Sequence, residues 1–438
     1  MTLTVPALAP PRPLSLPETT EHQLANGLTV LVIRRATVPL VELRLRVPFG
    51  RAPLAPASVL SHTLFSGTAS MSNVEIAAEL QARGGALGAS VDPDRLLVSG
   101  NGLVSGLDRI LEILADVLTG ASYPQQEVVT ERERLADRIH VARRQPSHLA
   151  RVALLRRIYP GHPYERQTPA PEEVLAVDHD VLRALHAERV HPAGANLVLV
   201  GDLDPDATIA SVEAHLGGWD GRAEPADLPP LPELTPGPLL IADRPDSVQS
   251  SLRLALPAVP RNHPDHAPLQ LANLVFGGYF SSRWVENIRE DKGYTYGPHS
   301  TIEHSIAGSR VILSAEVATE VTAPALLETV YELGRIASAP PAEAELEQAR
   351  QYALGTLQLH IATQSGIAGL ASAYAGFGLR LRHLAEYSEA LASATVADVA
   401  EAAARYLAPA RAVTVVLGDA ERIEPGLATL APVVREQP

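Results

Sequence analysis

Residues 223–238, Ala-Glu-Pro-Ala-Asp-Leu-Pro-Pro-Leu-Pro-Glu-Leu-Thr-Pro-Gly-Pro, constrain this chain more than any other segment. Each proline fixes its own φ and lacks an N–H donor, so the run continues neither a helix nor a central strand. It predicts an extended, semi-rigid connector and divides the chain into two stretches. Both stretches close alike. Leu197-Val198-Leu199-Val200-Gly201-Asp202 ends the first, and Thr414-Val415-Val416-Leu417-Gly418-Asp419 ends the second. A β-branched and leucine run stopping on Gly-Asp is a strand followed by a turn. Two halves of similar length with one shared closing signal predict a duplicated domain. With 438 residues there is enough chain for two cores.

Within each half, strand and helix patterns succeed one another, which predicts the α+β class. Each domain is expected to hold a mainly antiparallel sheet with helices packed on one face. The expected layout is a flexible proline-rich arm at 1–18, a first domain at 19–222, the linker at 223–238, a second domain at 239–426 and a tail at 427–438. Strands are predicted at 28–33, 41–47, 91–98, 196–202, 251–256 and 412–419, and strand-like pattern at 302–317. Helices are predicted at 55–65, at 73–83 with Asn73 as N-cap, and at 106–119, 125–144, 268–276, 323–336 and 342–358. Leu107, Ile110, Leu111, Leu114 and Leu118 fall on one helical stripe.

The absence of cysteine excludes disulfides, a catalytic thiolate and cysteine-ligated zinc. A net charge of −14 lacks the positive footprint of a general nucleic-acid binder. The N-terminus shows no basic region followed by an apolar run, and no stretch is apolar enough for a membrane span, so a cytoplasmic protein is expected.

The chemistry-bearing feature is Ser58-Val59-Leu60-Ser61-His62. The inverted zinc-peptidase motif H-x-x-E-H places two imidazoles on one helical face with a glutamate general base between them. Here Ser58 occupies the first histidine position and Ser61 the glutamate position. His62 alone remains, and reads as a partly buried histidine kept for packing and hydrogen bonding.

Several segments, in order, resemble the pitrilysin-like zinc peptidases, which include insulysin and the mitochondrial processing peptidases. They are Leu24 to Val30, His62 to Thr68, Gly84 to Ser90 (with Gly88 where asparagine is usual), Gly161-His162-Pro163-Tyr164, Val200-Gly201-Asp202 and Ser282 to Tyr296. The resemblance spans about residues 20 to 425. It implies a third zinc ligand, a glutamate, on the charged helix; the matching residue is Arg138, a permanent cation that cannot ligate a metal. Neighbouring Asp137 and His140 read as solvated. In the second half the resemblance implies that Arg289 and Tyr296 bind the substrate's peptide carbonyls and stabilise the tetrahedral oxyanion.

The resemblance therefore implies a chain without a metal of its own. It is read as the non-catalytic subunit of a heterodimeric metallopeptidase, with zinc in a paralogous partner and a peptide as substrate. Leader-peptide removal and general peptide turnover both suit such a chamber. The alternative is a non-proteolytic scaffold or peptide-binding protein of the same fold.

Overall fold

The computed structural model describes residues 14–221 and 228–437. It contains two six-stranded sheets. The first comprises β1 (Thr19–Gln23), β2 (Thr29–Arg34), β3 (Leu40–Pro48), β4 (Ala86–Val91), β5 (Arg95–Leu103) and β6 (Asn196–Gly201). The second comprises β7 (Leu239–Asp243), β8 (Gln249–Pro257), β9 (His299–Ser305), β10 (Gly308–Ala318), β11 (Val413–Gly418) and β12 (Val433–Glu436). Their orders, β1-β2-β6-β3-β5-β4 and β12-β7-β11-β8-β10-β9, superimpose strand for strand apart from the first member of each.

The repeated closing signal has a structural cause. β6 inserts parallel to β2 and antiparallel to β3, and β11 inserts parallel to β7 and antiparallel to β8. Each is a central strand buried on both faces, which requires the unbroken apolar run rather than alternation. The sixth strands differ. β1 pairs antiparallel with β2, whereas β12 pairs parallel with β7. The stretch at 427–438 thus contributes an edge strand and is more than a tail.

Helices cover one face of each sheet, as expected, with Leu107, Ile110, Leu111, Leu114 and Leu118 all buried in the first core. The opposite face is covered by the other half of the chain. Helix Pro146–Ile158 of the first half sets Ala150, Ala153, Leu154 and Ile158 against Leu240, Ala255, Val413 and Val415 of the second sheet. Reciprocally, helix Gln364–Gly376 sets Ile367, Ala368, Ala371 and Tyr374 against Leu31, Ile33, Val198 and Val200 of the first. Each fully buried Leu, Ile or Val contributes about 1.5–3 kcal/mol, so this exchange binds the halves into one body.

Polar contacts fix the register between the halves. Arg151 makes a two-pronged pair with Glu303 at 2.9 and 3.1 Å. Gln364 donates to the Arg35 carbonyl at 2.9 Å. Tyr164 donates to Asp94 and accepts from the Ala307 N–H at 3.3 Å. The described part of the linker, 228–238, lies along the second sheet without regular structure. Leu228, Leu231 and Leu234 pack on it, and the Pro229 carbonyl lies 2.9 Å from His162 Nε2.

Local boundaries differ from the expected ones for identifiable reasons. Ser72, not Asn73, caps the second helix, in a reciprocal capping box with Glu75. The strand expected at 91–98 is a hairpin, broken where Asp92 Oδ1 accepts the N–H groups of Asp94 and Arg95. The 302–317 pattern is likewise two strands, turning at Ile306-Ala307. The helix expected at 268–276 begins at His266 and widens to π-helix over Leu274–Gly278. Most of the N-terminal arm lies outside the described residues, but Leu14 and Leu16 pack against the cluster containing Leu31. Among the described residues no helix is long and apolar enough to cross a membrane.

Candidate functional site

Helix Leu54–Thr63 carries the degenerate motif, wedged against β4 and the charged helix Gln125–Ala142. Ala55, Ala57, Val59, Leu60 and Thr63 are buried, so this helix is fixed by packing. Ser61 is buried and its hydroxyl donates back to the Ser58 carbonyl at 2.9 Å. His62 Nδ1 lies 2.8 Å from the same carbonyl, which obliges Nδ1 to carry the proton. The expected packing role is corrected: His62 is exposed and folds back onto its own helix.

Arg138 does not fill a vacated ligand position. It projects from the charged helix with its side chain 56% exposed and reaches Glu131 of that helix only at 3.9 Å. Asp137 and His140 are exposed too, with His140 Nε2 3.0 Å from Arg144. Among the described residues no group of three or more His, Cys, Asp or Glu comes together as a metal cage. The donor set tells more: two serine hydroxyls, of which that of Ser61 is engaged in its own turn, one imidazole and one guanidinium. Zinc takes imidazole, thiolate or carboxylate, normally three of them in a catalytic site. These residues do not fit it.

The second-half pair is built differently. Arg289 sits in the π-helical turn Glu286–Asp291, a local widening frequent at functional sites. Three anchors hold that turn from below. Trp284 is fully buried, stacks on Phe276 at 5.4 Å and donates to Thr329 at 3.0 Å. Arg283 grips Glu345 with two contacts of 2.7 Å. Asn287 donates to Glu328 and to Glu332, each at 2.9 Å. Glu332 is only 1% exposed, and Arg335, 3.0 Å away, balances its charge.

Gly293 then adopts φ +66°, reversing the chain, and Tyr294 N–H closes on the Ile288 carbonyl at 2.8 Å. The reversal places the Arg289 guanidinium between two rings, 4.3 Å from the Phe280 centroid and 5.2 Å from that of Tyr296. Arg289 also pairs with Glu290 at 3.0 Å. Tyr296 is 87% exposed, leaving its hydroxyl free for a ligand. Arg289 and Tyr296 are thus brought together on the second half, while Ser58, Ser61, His62 and Arg138 sit on two helices of the first. Phe280 and the Asn287–Glu332 anchor escaped the sequence reading. Phenylalanine is scarce here, five in the chain, but only the structure shows that Phe280 is exposed, so the sequence carried no signal for it.

A cleft of about 530 Å³ opens beside Gly297, next to Tyr296. It runs between helix Pro146–Ile158 and strands β8–β10, past Arg253, His299 and Glu316.

Duplicated six-stranded halves with exchanged helices define a two-domain α+β fold. Two family models match: "Insulinase (Peptidase family M16)" over residues 56–172 and "Peptidase M16 inactive domain" over 176–352. The chain belongs to the M16 peptidase family. Relatives include an uncharacterized zinc protease of Mycobacterium bovis, 24% identical over 84% of this chain and 85% of its own length. One from Bacillus subtilis is 25% identical over 77% and 83%. The match to a Mycobacterium leprae zinc protease, 25% identical, spans 58% of each chain. Among solved structures, a peptidase M16 inactive domain from Pseudomonas fluorescens has a TM-score of 0.84 at 24% identity, covering 96% of this chain and 99% of that one. A Helicobacter pylori protease has a TM-score of 0.84 at 19% identity, covering 92% and 100%.

Proposed function

We propose that this chain is the non-catalytic subunit of a heterodimeric zinc metallopeptidase, a cytoplasmic pseudoenzyme that completes the site of a zinc-bearing paralogue. The observation that carries the reading is an asymmetry. Every liganding position except His62 is lost from the first half, yet the Arg289–Tyr296 pair of the second is held by buried anchors. A buried carboxylate such as Glu332 is costly to maintain without reason, because desolvating a charge is unfavourable unless fully compensated.

In this reading the partner's zinc supplies the polarised water and Lewis acidity. This chain supplies what its own residues can do. Arg289, stacked by Phe280 and Tyr296, presents its remaining N–H donors to a peptide carbonyl. The Tyr296 hydroxyl donates a second hydrogen bond to the same oxygen as negative charge develops on it. The free edge of β4, paired only with β5, would accept an extended peptide as an added strand. Peptide processing, leader removal included, follows from such a chamber.

The test is reconstitution. Each chain alone should leave a quenched fluorescent peptide intact, and an equimolar mixture should cleave it. Zinc-dependent cleavage by this chain alone would contradict the proposal.

A further inference from the structure

We infer that a second, basic pocket on this chain binds a carboxylate of the peptide, either its C-terminus or an acidic side chain. The inference rests on the peptide-binding reading above. The pocket encloses about 360 Å³, room for one residue-sized group, between helix Pro146–Ile158 and the segment 165–168. Arg143, Arg151, Arg156 and Arg166 all line it, in a chain whose net charge is −14.

The arginines are not equivalent. Arg151 is committed to Glu303 and Arg166 to Glu173. Arg156 has no hydrogen-bond or ion-pair partner for its guanidinium among the described residues, and Arg143 has none within contact distance, its charge reaching Glu173 only at longer range. The one carboxylate in the lining, Glu165, accepts the Gly161 N–H at 2.7 Å and so is already engaged. Gln167 and Thr168 add neutral donors. Arg143 and Arg156 are exposed at the margin of this pocket, and guanidinium groups there fit a carboxylate, which accepts them in bidentate geometry.

Position links this pocket to the peptide path. His148 and Arg151 line both it and the larger cleft that opens beside Gly297. A peptide held at Tyr296 and lying along that cleft therefore reaches the arginines. Burial, and then the nearby Arg143 cation, lower the His148 pKa below its ordinary value; a bound carboxylate would reverse the second effect.

The probe is a fluorescein-labelled Ala/Ser/Gly peptide made with a free C-terminal carboxylate, with a C-terminal amide, and as the amide with one internal Glu. Anisotropy with the isolated full chain should give binding of a carboxylate form about tenfold tighter than the plain amide. Whichever carboxylate form gains identifies the source. R143Q/R156Q should erase the gain without altering amide binding, and R143K/R156K should retain part of it. Thermal unfolding checks that both variants are folded; if R143Q/R156Q is not, the loss of preference in raised salt serves instead. Equal affinity of all three peptides, no binding of any, or an unchanged preference in R143Q/R156Q would overturn the inference. Reconstituted cleavage would then still stand on its own result. Conversely, carboxylate-dependent binding without any reconstituted cleavage would overturn only the subunit reading.

Discussion

At the scale of single residues, the proposed function turns on the contrast between His62 and Arg289. His62 spends Nδ1 on its own helix and faces solvent, and among the described residues it belongs to no group of three or more His, Cys, Asp or Glu that could hold a metal. Metal analysis of the purified chain should therefore find no stoichiometric zinc, and S58H/R138E should recover measurable binding if the helices remain in family register. A full equivalent of zinc in the unaltered chain would refute this account of the site. Arg289 and Tyr296 should behave as a unit. In the reconstituted enzyme, R289A and Y296F should each lower kcat by on the order of 10²-fold, the usual effect of removing one oxyanion donor. Co-elution of the two subunits should be unaffected. Wild-type turnover in both variants would remove the pair from the chemistry.

At the scale of elements, the anchor beneath Arg289 and the histidines beside β9 carry the predictions. E332Q removes the charge that Arg335 and Asn287 share in a buried place. It should cost about 1–3 kcal/mol in chemical unfolding; no shift in the midpoint would mean that the anchor is dispensable. His266 and His304 face one another at 5.1 Å, with Tyr387 stacked on His266 and Ser309 Oγ 2.7 Å from His304 Nδ1. Burial, then the Arg261 charge, pushes His266 from 6.5 to about 3 and His304 to about 2, with His383 and His263 adding to the first. Both imidazoles thus stay neutral in the folded chain but protonate in the unfolded one below about pH 6.5. Stability is whole above that pH and falls as the pH drops through it, by about 1.4 kcal/mol per unit for each group. Urea midpoints between about pH 7.5 and about pH 5 should fall less steeply in H304Q than in wild type. Equal slopes would exclude His304 as a source of acid sensitivity.

At the scale of the whole molecule, the two halves cannot be treated as beads on a string. Helix Pro146–Ile158 closes the second sheet and helix Gln364–Gly376 closes the first. L154A should therefore cost about 2–5 kcal/mol and move one shared unfolding transition; two separate transitions would show that the halves fold independently. The duplication was legible because a central parallel strand needs an unbroken apolar run, and both β6 and β11 display one before Gly-Asp. The exchange was not legible. Neither helix 146–158 nor helix 364–376 was among the expected elements, and nothing local to either says that the surface burying it lies across the proline linker. The hairpin at 92–94 was marked by Asp92-Pro93-Asp94, a turn signal that the reading passed over, whereas Ile306-Ala307 offers no turn residue to mark the second. Of the proposed site, Arg289, Tyr296 and the position of Arg138 come from the resemblance, and chemistry adds only that serine and arginine do not suit zinc. Phe280 and Glu332 could not, since their roles exist only once Gly293 has turned the chain back and the 322–338 helix has packed beneath it.

The most direct measurement is peptide cleavage by this chain and the proposed zinc-bearing paralogue, separately and mixed. Activity in the mixture alone, lost on replacing Arg289 and Tyr296 here while the complex still assembles, is the predicted result. Full activity of the paralogue without this chain, or a mixture no faster than the paralogue by itself, would contradict it.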